Sequence, residues 1–330
     1  MERDERAQKP PLERTEKPPV VVLTGPTASG KTPLAIEIAQ RLGGEIINAD
    51  SMQVYRYMDV GTAKPSLEQR AQVPHHLLDV VTPDVAYNAG RYAEEAREAA
   101  AGLHAGGKIV LLTGGTGLYI RAFLEGLLQT GEADPELRAE LEDQNRAAVE
   151  AGDPLRLHRR LAEVDPEAAD RIHPNDVRRI IRALEIAGSL GGRVSSLRAE
   201  HGFGDRPYRT LHLALDPGRE ALAERIDRRC GEMIDNGLLR EARALRERGY
   251  GPELRPMRSI GYRHMTPVVD GADTLANALE VMRRDTRRFA RRQRTWLRKV
   301  PDVRWQRPDE AEAIFDAVES FLKVVSQRLC

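Results

Sequence analysis

The chain has 330 residues, 51 basic and 51 acidic, which allows one large domain or one carrying a smaller second domain and excludes a strong overall field drawing it to nucleic acid. Two cysteines, Cys230 and Cys330, exclude a disulfide framework and point to a reducing compartment, the cytoplasm. No apolar run nears the roughly 20 residues needed to span a bilayer, which excludes a membrane role.

Residues 1–17 mix both charge signs with prolines and lack the apolar stretch of a signal peptide, so a disordered lead-in is expected. The fold then starts near Pro18. "VVVLTG" predicts a buried parallel strand. "KTPLAIEIAQRLG" has apolar residues at helical spacing, Leu34, Ile38 and Leu42, with Gly43 as a stop. Pro33 falls in the first turn of that helix, where a missing amide hydrogen is tolerated. "EIINAD" predicts a second strand ending at Asp50, and "SMQVYRYMDVGTAKP" a loop. A short strand in "PHHLLDVVTP", a helix over "AGRYAEEAREAAAGLHAGG" and a strand in "KIVLLTGGTG" follow. Alternating strands and helices predict a mostly parallel sheet covered on both faces, with ligands at the carboxyl ends of its strands.

Between residues 125 and 204 the chain turns charged and helix-favouring, with breaks at "EADPEL", "AGDPL", "EVDPEA" and "IHPND". This predicts an inserted all-helical lobe. "YRTLHLALD" predicts a returning core strand, followed by helices to Val300, a short "VRW" strand and a terminal helix. The expected division is therefore a core of residues 18–124 and 205–330, interrupted by the lobe. No internal repeats are present.

Gly25, Pro26, Thr27, Ala28, Ser29, Gly30, Lys31 and Thr32 form a phosphate-binding loop: Gly, four residues, Gly, Lys, then Ser or Thr. In such a loop backbone amides reach phosphate oxygens, Lys31 supplies a point charge, and the Thr32 hydroxyl can bind Mg2+. The motif alone leaves open whether the phosphate is transferred, as in an ATP-using small-molecule or nucleotide kinase, or released. Asp50 taken singly is open to a turn or capping role, and Thr116 in the second glycine turn, "GGTGLY", to an ordinary connection. Arg225, Arg228 and Arg229 are neighbours that could form a solvated helix face. Val281–Lys299 concentrates nine basic residues against one acid, Asp285. Helical spacing brings Arg284, Arg288, Arg291 and Arg292 together, with Phe289, Trp296 and Leu297 available to the core, and such a face suits a phosphate backbone. His75, His76 and His173 lack carboxylate or thiol partners at metal-ligand spacing and read as structural.

Taken jointly and in order, "GPTASGKT", "INADSMQVYRYMDVGTAKP", "PHHLLDV", "GGTGLYIRAFLEGL", "RIHPNDVRRIIRALEI", "IGYR" and "RRQRTWLR" closely resemble the bacterial tRNA dimethylallyltransferases, from about Pro19 to Trp305. The resemblance implies a P-loop nucleotide-kinase-like α/β core with the helical lobe inserted. It implies transfer of a dimethylallyl group from dimethylallyl diphosphate to N6 of adenosine 37, beside the tRNA anticodon, by a monomer using Mg2+ at Thr32. The phosphate loop would grip a leaving diphosphate. Asp50 would be the base, Thr116 would contact the target nucleotide, and Arg229 would stabilise pyrophosphate. The implied tRNA contacts are Asp50, Ser51, Met52, Gln53, Thr116, Arg138, Arg178, Arg179, Ile180, Ile181, Arg182, Arg258, Arg291, Arg292, Gln293, Arg294, Thr295, Trp296, Leu297 and Arg298, with the lobe closing over the anticodon stem-loop. Two departures stand out: "ELRPMR" at Glu253–Arg258, and Tyr57, where the family commonly has Gly.

Overall fold

The computed structural model describes residues 17–127, 134–190, 193–201 and 205–327. The expected lead-in lies outside them except for Lys17, as does Cys330. The chain divides into two compact units, residues 1–124 with 207–330 and residues 125–206.

In the first unit β1 (Pro19–Thr24) runs into the glycine loop and α1 (Lys31–Leu42), followed by β2 (Gly44–Ala49). Val20 to Leu23 are wholly buried, as a β-branched run inside a parallel sheet should be. Gly43 closes α1 in the left-handed conformation, φ 66°, and Pro33 sits in its first turn. After β2 the chain passes through an irregular stretch to α2 (Leu67–Gln72), β3 (His75–His76), α3 (Ala89–Ala105), β4 (Ile109–Gly114) and α4 (Gly117–Glu125).

α2 and α4 are additions to the sequence expectation. α2 is six residues long and is held by a reciprocal cap: Gln69 N donates to Ser66 Oγ and Ser66 N donates to Gln69 Oε1. The Ser-x-x-Gln signature of this cap is present in the sequence. In α4 Tyr119, Ile120, Ala122 and Phe123 are buried, and Tyr119 stacks on Tyr92 of α3 with ring centroids 4.1 Å apart.

The second unit holds α5 (Pro135–Glu150), α6 (Arg156–Val164), α7 (Pro166–Arg171), α8 (Val177–Leu190) and α9 (Val194–His201). Its Asp-Pro breaks are helix starts. The Asp134 carboxylate accepts from the amides of Glu136 and Leu137, Asp165 accepts from that of Ala168, and each is followed by Pro at the first helical position. Leu141, Leu157, Leu161, Ile180, Ile181 and Leu184 form its core.

The chain re-enters the first unit through β5 (Arg209–Leu215), then α10 (Arg219–Asp235), α11 (Leu238–Glu247), a 3-10 turn at Pro256–Arg258, α12 (Tyr262–Val269), α13 (Leu275–Leu297), β6 (Arg304–Gln306) and α14 (Ala311–Gln327). The sheet order is β3-β2-β4-β1-β5-β6, with every pairing parallel. α1 and α14 cover one face, where Leu34, Ile38, Ile314 and Val318 pack on Val21, Leu111 and Leu213. Each such buried Leu or Ile contributes about 1.5 to 3 kcal/mol. With β4 and β5 flanking β1, the loops after β1, β2 and β4 meet at the carboxyl edge of the sheet.

Candidate active site

The phosphate loop leaves β1 through a tight approach. A Cβ on Gly25 would lie 2.7 Å from the Leu215 carbonyl oxygen of β5 and 2.6 Å from Ser29 Oγ. Gly25 and Gly30 take φ of 147° and 95°, so the turn into α1 excludes side chains at both positions. The Lys31 ammonium folds onto its own loop, donating to the carbonyls of Gly25 at 2.9 Å and Pro26 at 2.8 Å.

Asp50 follows β2 directly. Its Oδ1 accepts from Met52 N at 2.8 Å, so one carboxylate oxygen shapes the turn. Thr116, after β4, ties that turn in place: its Oγ1 accepts from Ser51 N at 2.9 Å and donates to Ser51 Oγ at 3.2 Å, while Thr116 N donates to the Ala49 carbonyl at 3.1 Å. The Thr116 hydroxyl therefore orders the Asp50–Ser51 turn. Gln53 Nε2 donates to the carbonyls of Thr62 and Ala63, both at 3.2 Å.

α10 supplies the cations. Arg225 and Arg229 lie four residues apart, one helical turn, and both line the cavity; Arg225 Nη1 also reaches the Ser29 carbonyl at 3.5 Å. Arg228 also lines the cavity but is exposed and lies beside Glu232. The i, i+3, i+4 spacing of Arg225, Arg228 and Arg229, one helical turn, was the available sequence signal for a cavity-facing cluster. Burial lowers the Arg229 guanidinium below its usual range, opposed by the charge of Asp50. Burial, then repulsion from Arg229, push the Lys31 ammonium down to about 7, with Asp50 pulling the other way. Lys31, Arg229 and Asp50 thus form one electrostatic group within a cavity of about 830 Å³ that also takes in Thr32, Gln53, Thr116 and Arg292.

α13 closes this cavity in a way the sequence did not disclose. Gln293 is buried, with Oε1 accepting from Thr27 N at 2.8 Å and Nε2 donating to the Gly115 carbonyl at 2.9 Å. One amide therefore braces both glycine loops. A Cβ on Gly117 would strike the Trp296 ring at 2.5 Å, so α13 lies directly on the start of α4.

The family model described as IPP transferase matches residues 53–300, and one described as Isopentenyl transferase matches residues 18–79. The tRNA dimethylallyltransferase of Desulfatibacillum aliphaticivorans is 48% identical over 93% of this chain and 99% of its own. The chain belongs to the IPP transferase family, that of the tRNA dimethylallyltransferases. Among solved structures, the tRNA isopentenylpyrophosphate transferase of Bacillus halodurans is 36% identical with a TM-score of 0.68, covering 94% of this chain and 99% of that one. A eukaryotic dimethylallyltransferase acting on tRNA is 30% identical with a TM-score of 0.75, covering 88% and 74%. The kinase alternative raised by the phosphate loop finds no support in these matches.

Against the expected footprint of this family member, several side chains face inward. Ile180 and Ile181 belong to the core of the second unit, and Leu297 and Gln293 are buried in the first. These four side chains hold helices and loops together, and Gln293 also lines the cavity. Phe289, expected in the core, is exposed at 36% and lines the cavity. Arg294 is ion-paired with Asp216 at 2.7 Å.

Exposed positions include Arg178, Arg179, Arg258, Arg291, Arg292, Thr295 and Arg298. Arg138 donates through Nε and Nη2 to the buried Glu185 at 2.6 and 3.0 Å, and Arg182 reaches the same carboxylate at 3.1 Å. Arg284 and Arg288 share Asp285 with Arg263 and His264, whereas Arg291, Arg292 and Arg298 have no carboxylate partner among the described residues.

His76 pairs with Glu45 at 2.8 Å and His75 Nδ1 lies 2.8 Å from the Val73 carbonyl. Tyr57 takes φ 68°, the left-handed region that suits a glycine. Its ring is retained against Tyr250, centroids 6.3 Å apart, and under the Arg248 guanidinium at 4.2 Å.

Proposed function

We propose that this chain transfers a dimethylallyl group from dimethylallyl diphosphate to N6 of adenosine 37 in the tRNA anticodon loop, releasing diphosphate. The observation that carries the reading is the meeting of two chemistries in one cavity: the phosphate loop with Lys31 and Arg229, and the Asp50 carboxylate, whose charge acts on both cations. Breaking the allylic carbon–oxygen bond leaves the electron pair on the diphosphate, where preorganised donors act most strongly. The N6 lone pair forms the new carbon–nitrogen bond, and the nitrogen becomes acidic as it does so. Asp50 then takes one N6 proton, for which an ordinary carboxylate is basic enough. A loop base can be extruded into such a pocket at lower cost than one in a duplex.

A diphosphate substrate calls for a divalent cation, and Mg2+ is the proposed one. Among the described residues no group of three or more His, Cys, Asp or Glu could hold a metal. This donor set fits an ion bound through the Thr32 hydroxyl and the substrate's own oxygens. Bound there, Mg2+ would neutralise charge on the leaving group.

The tRNA contacts we assign are Asp50 to Gln53, Thr116, Arg138, Arg178, Arg179, Arg182, Arg258, Arg291, Arg292, Arg294, Thr295, Trp296 and Arg298. Among the described residues no helix is long and apolar enough to cross a membrane. We place the enzyme in the cytoplasm as a monomer.

The test is incubation with tRNA, Mg2+ and labelled dimethylallyl diphosphate or ATP. Isoprenoid on adenosine 37 is expected; phosphorylation from ATP without prenyl transfer would overturn the reading. Asp50→Asn keeps an oxygen for Met52 N and removes the base. Turnover should fall about 10²- to 10⁴-fold with tRNA affinity retained.

A further inference from the structure

The Glu241 carboxylate on α11 accepts hydrogen bonds from three consecutive amides of another loop: Asp59 N at 2.9 Å and Val60 N at 2.8 Å on Oε2, and Gly61 N at 3.0 Å on Oε1. The buried Tyr262 hydroxyl donates to the same Oε1 at 2.5 Å. Burial, then the Glu241 charge and hydrogen bond, hold that phenol protonated, so it remains a donor. Gly61 lies flat on the Tyr262 ring, where a Cβ would meet ring carbons at 2.5 Å. Successive amides converging on one anion form a nest, and here the anion is the protein's own.

Glu241 and Tyr262 are not among the side chains lining the active-site cavity, yet the far end of their loop is. Gly61, Thr62, Ala63 and Lys64 line it together with Gln53. The Thr62 and Ala63 carbonyls are the two acceptors of Gln53 Nε2. Two carbonyl partners admit only the amino end of an amide, so the orientation of Gln53 is fixed. Its carbonyl oxygen is the end left to meet a substrate, and that oxygen can only accept. It suits a base edge bearing an amino group.

We infer that Glu241 is a positioning residue for RNA recognition: its grip on residues 59–61 sets the carbonyls that orient Gln53. The inference rests on the proposed prenyl transfer and on Gln53 meeting RNA. Glu241→Gln replaces one carboxylate oxygen with an amino group and cannot satisfy all four donors. Loss of about one charge-assisted hydrogen bond should raise the KM for an anticodon stem-loop roughly tenfold, while the KM for dimethylallyl diphosphate stays unchanged. In a Gln53→Ala background the same substitution should add little, because the residue it acts through is gone.

Equal changes in both KM values, a fall in kcat alone, or full additivity with Gln53→Ala would overturn the assignment. If Glu241→Gln does not fold, Tyr262→Phe removes one of the four donors, keeps the ring under Gly61, and carries the same expectations on a smaller scale. Wild-type protein that moves no prenyl group to RNA would instead refute the functional reading.

Discussion

Lys31 is the residue where folding and chemistry pull in opposite directions. Burial, then repulsion from Arg229, bring its ammonium down to about 7, although two loop carbonyls accept from it. Near neutrality it is therefore half protonated in the free enzyme, and an arriving diphosphate would favour its charged form. Affinity for pyrophosphate should weaken as pH rises above about 7, by up to tenfold per pH unit, until the pKa of the complex is reached. Loss of protons from pyrophosphate itself works the other way, so the useful quantity is the difference from Lys31→Arg, whose guanidinium stays charged. Calorimetric titration from pH 6 to 9 should show a steeper decline in the wild type than in the variant, with proton uptake in the wild type alone; parallel curves would refute it. The same shift bears on stability. Between pH 7 and 10.5 the unfolded chain holds more protons at this site than the folded one. The penalty of burying the charge is accordingly relieved as pH rises through that window.

At the scale of elements, α13 does work that its basic composition does not announce. Its exposed arginines are legible in the sequence as a charge cluster, and so are the strand, glycine loop and helix at the phosphate site, because each is specified by neighbours a few residues apart. The brace from Gln293 to Thr27 and Gly115 spans 266 and 178 residues. No local pattern encodes it, and a glutamine in an arginine-rich helix reads as one more polar surface residue. Glu241 carries no local signal for the same reason: its amide partners lie about 180 residues away. Asp50 and Thr116 were legible as motif members, but not the way the Thr116 hydroxyl is committed to Ser51. Gln293→Leu keeps the bulk and removes both bonds. It leaves the Thr27 amide and the Gly115 carbonyl without their partner, at about 1 to 3 kcal/mol for each group that stays dry. A lower Tm and weaker pyrophosphate binding are expected together. Gln293→Glu can still accept from Thr27 N but sets a buried carboxylate oxygen against the Gly115 carbonyl, so it should lower Tm as well. An unchanged Tm in both variants would mean that the brace carries no load.

On the scale of the whole molecule the charges cancel, 51 against 51, so any attraction to RNA must come from where cations lack carboxylate partners. Many arginines are already paired: Arg287 with Asp227, Arg294 with Asp216, and Arg284 and Arg288 around Asp285. Such pairing offsets part of the field that each of these arginines presents, least around Asp285, which Arg263 and His264 also share. Arg291, Arg292 and Arg298 are different, being exposed on α13 and its end without a carboxylate partner among the described residues. Arg292 also lines the active-site cavity. Each phosphate contact adds about 0.7 to the slope of log affinity against log salt for single-stranded RNA and about 0.9 for a duplex. Replacing Arg291 and Arg292 by Ala should therefore lower the slope by about 1.4 to 1.8 if each meets one phosphate. Replacing Arg284 and Arg288 should lower it less, because Asp285 offsets part of their charge. Fluorescence anisotropy of a labelled anticodon stem-loop from 50 to 300 mM KCl would read both slopes. Equal reductions from the two pairs would show that carboxylate pairing does not decide which arginines bind RNA.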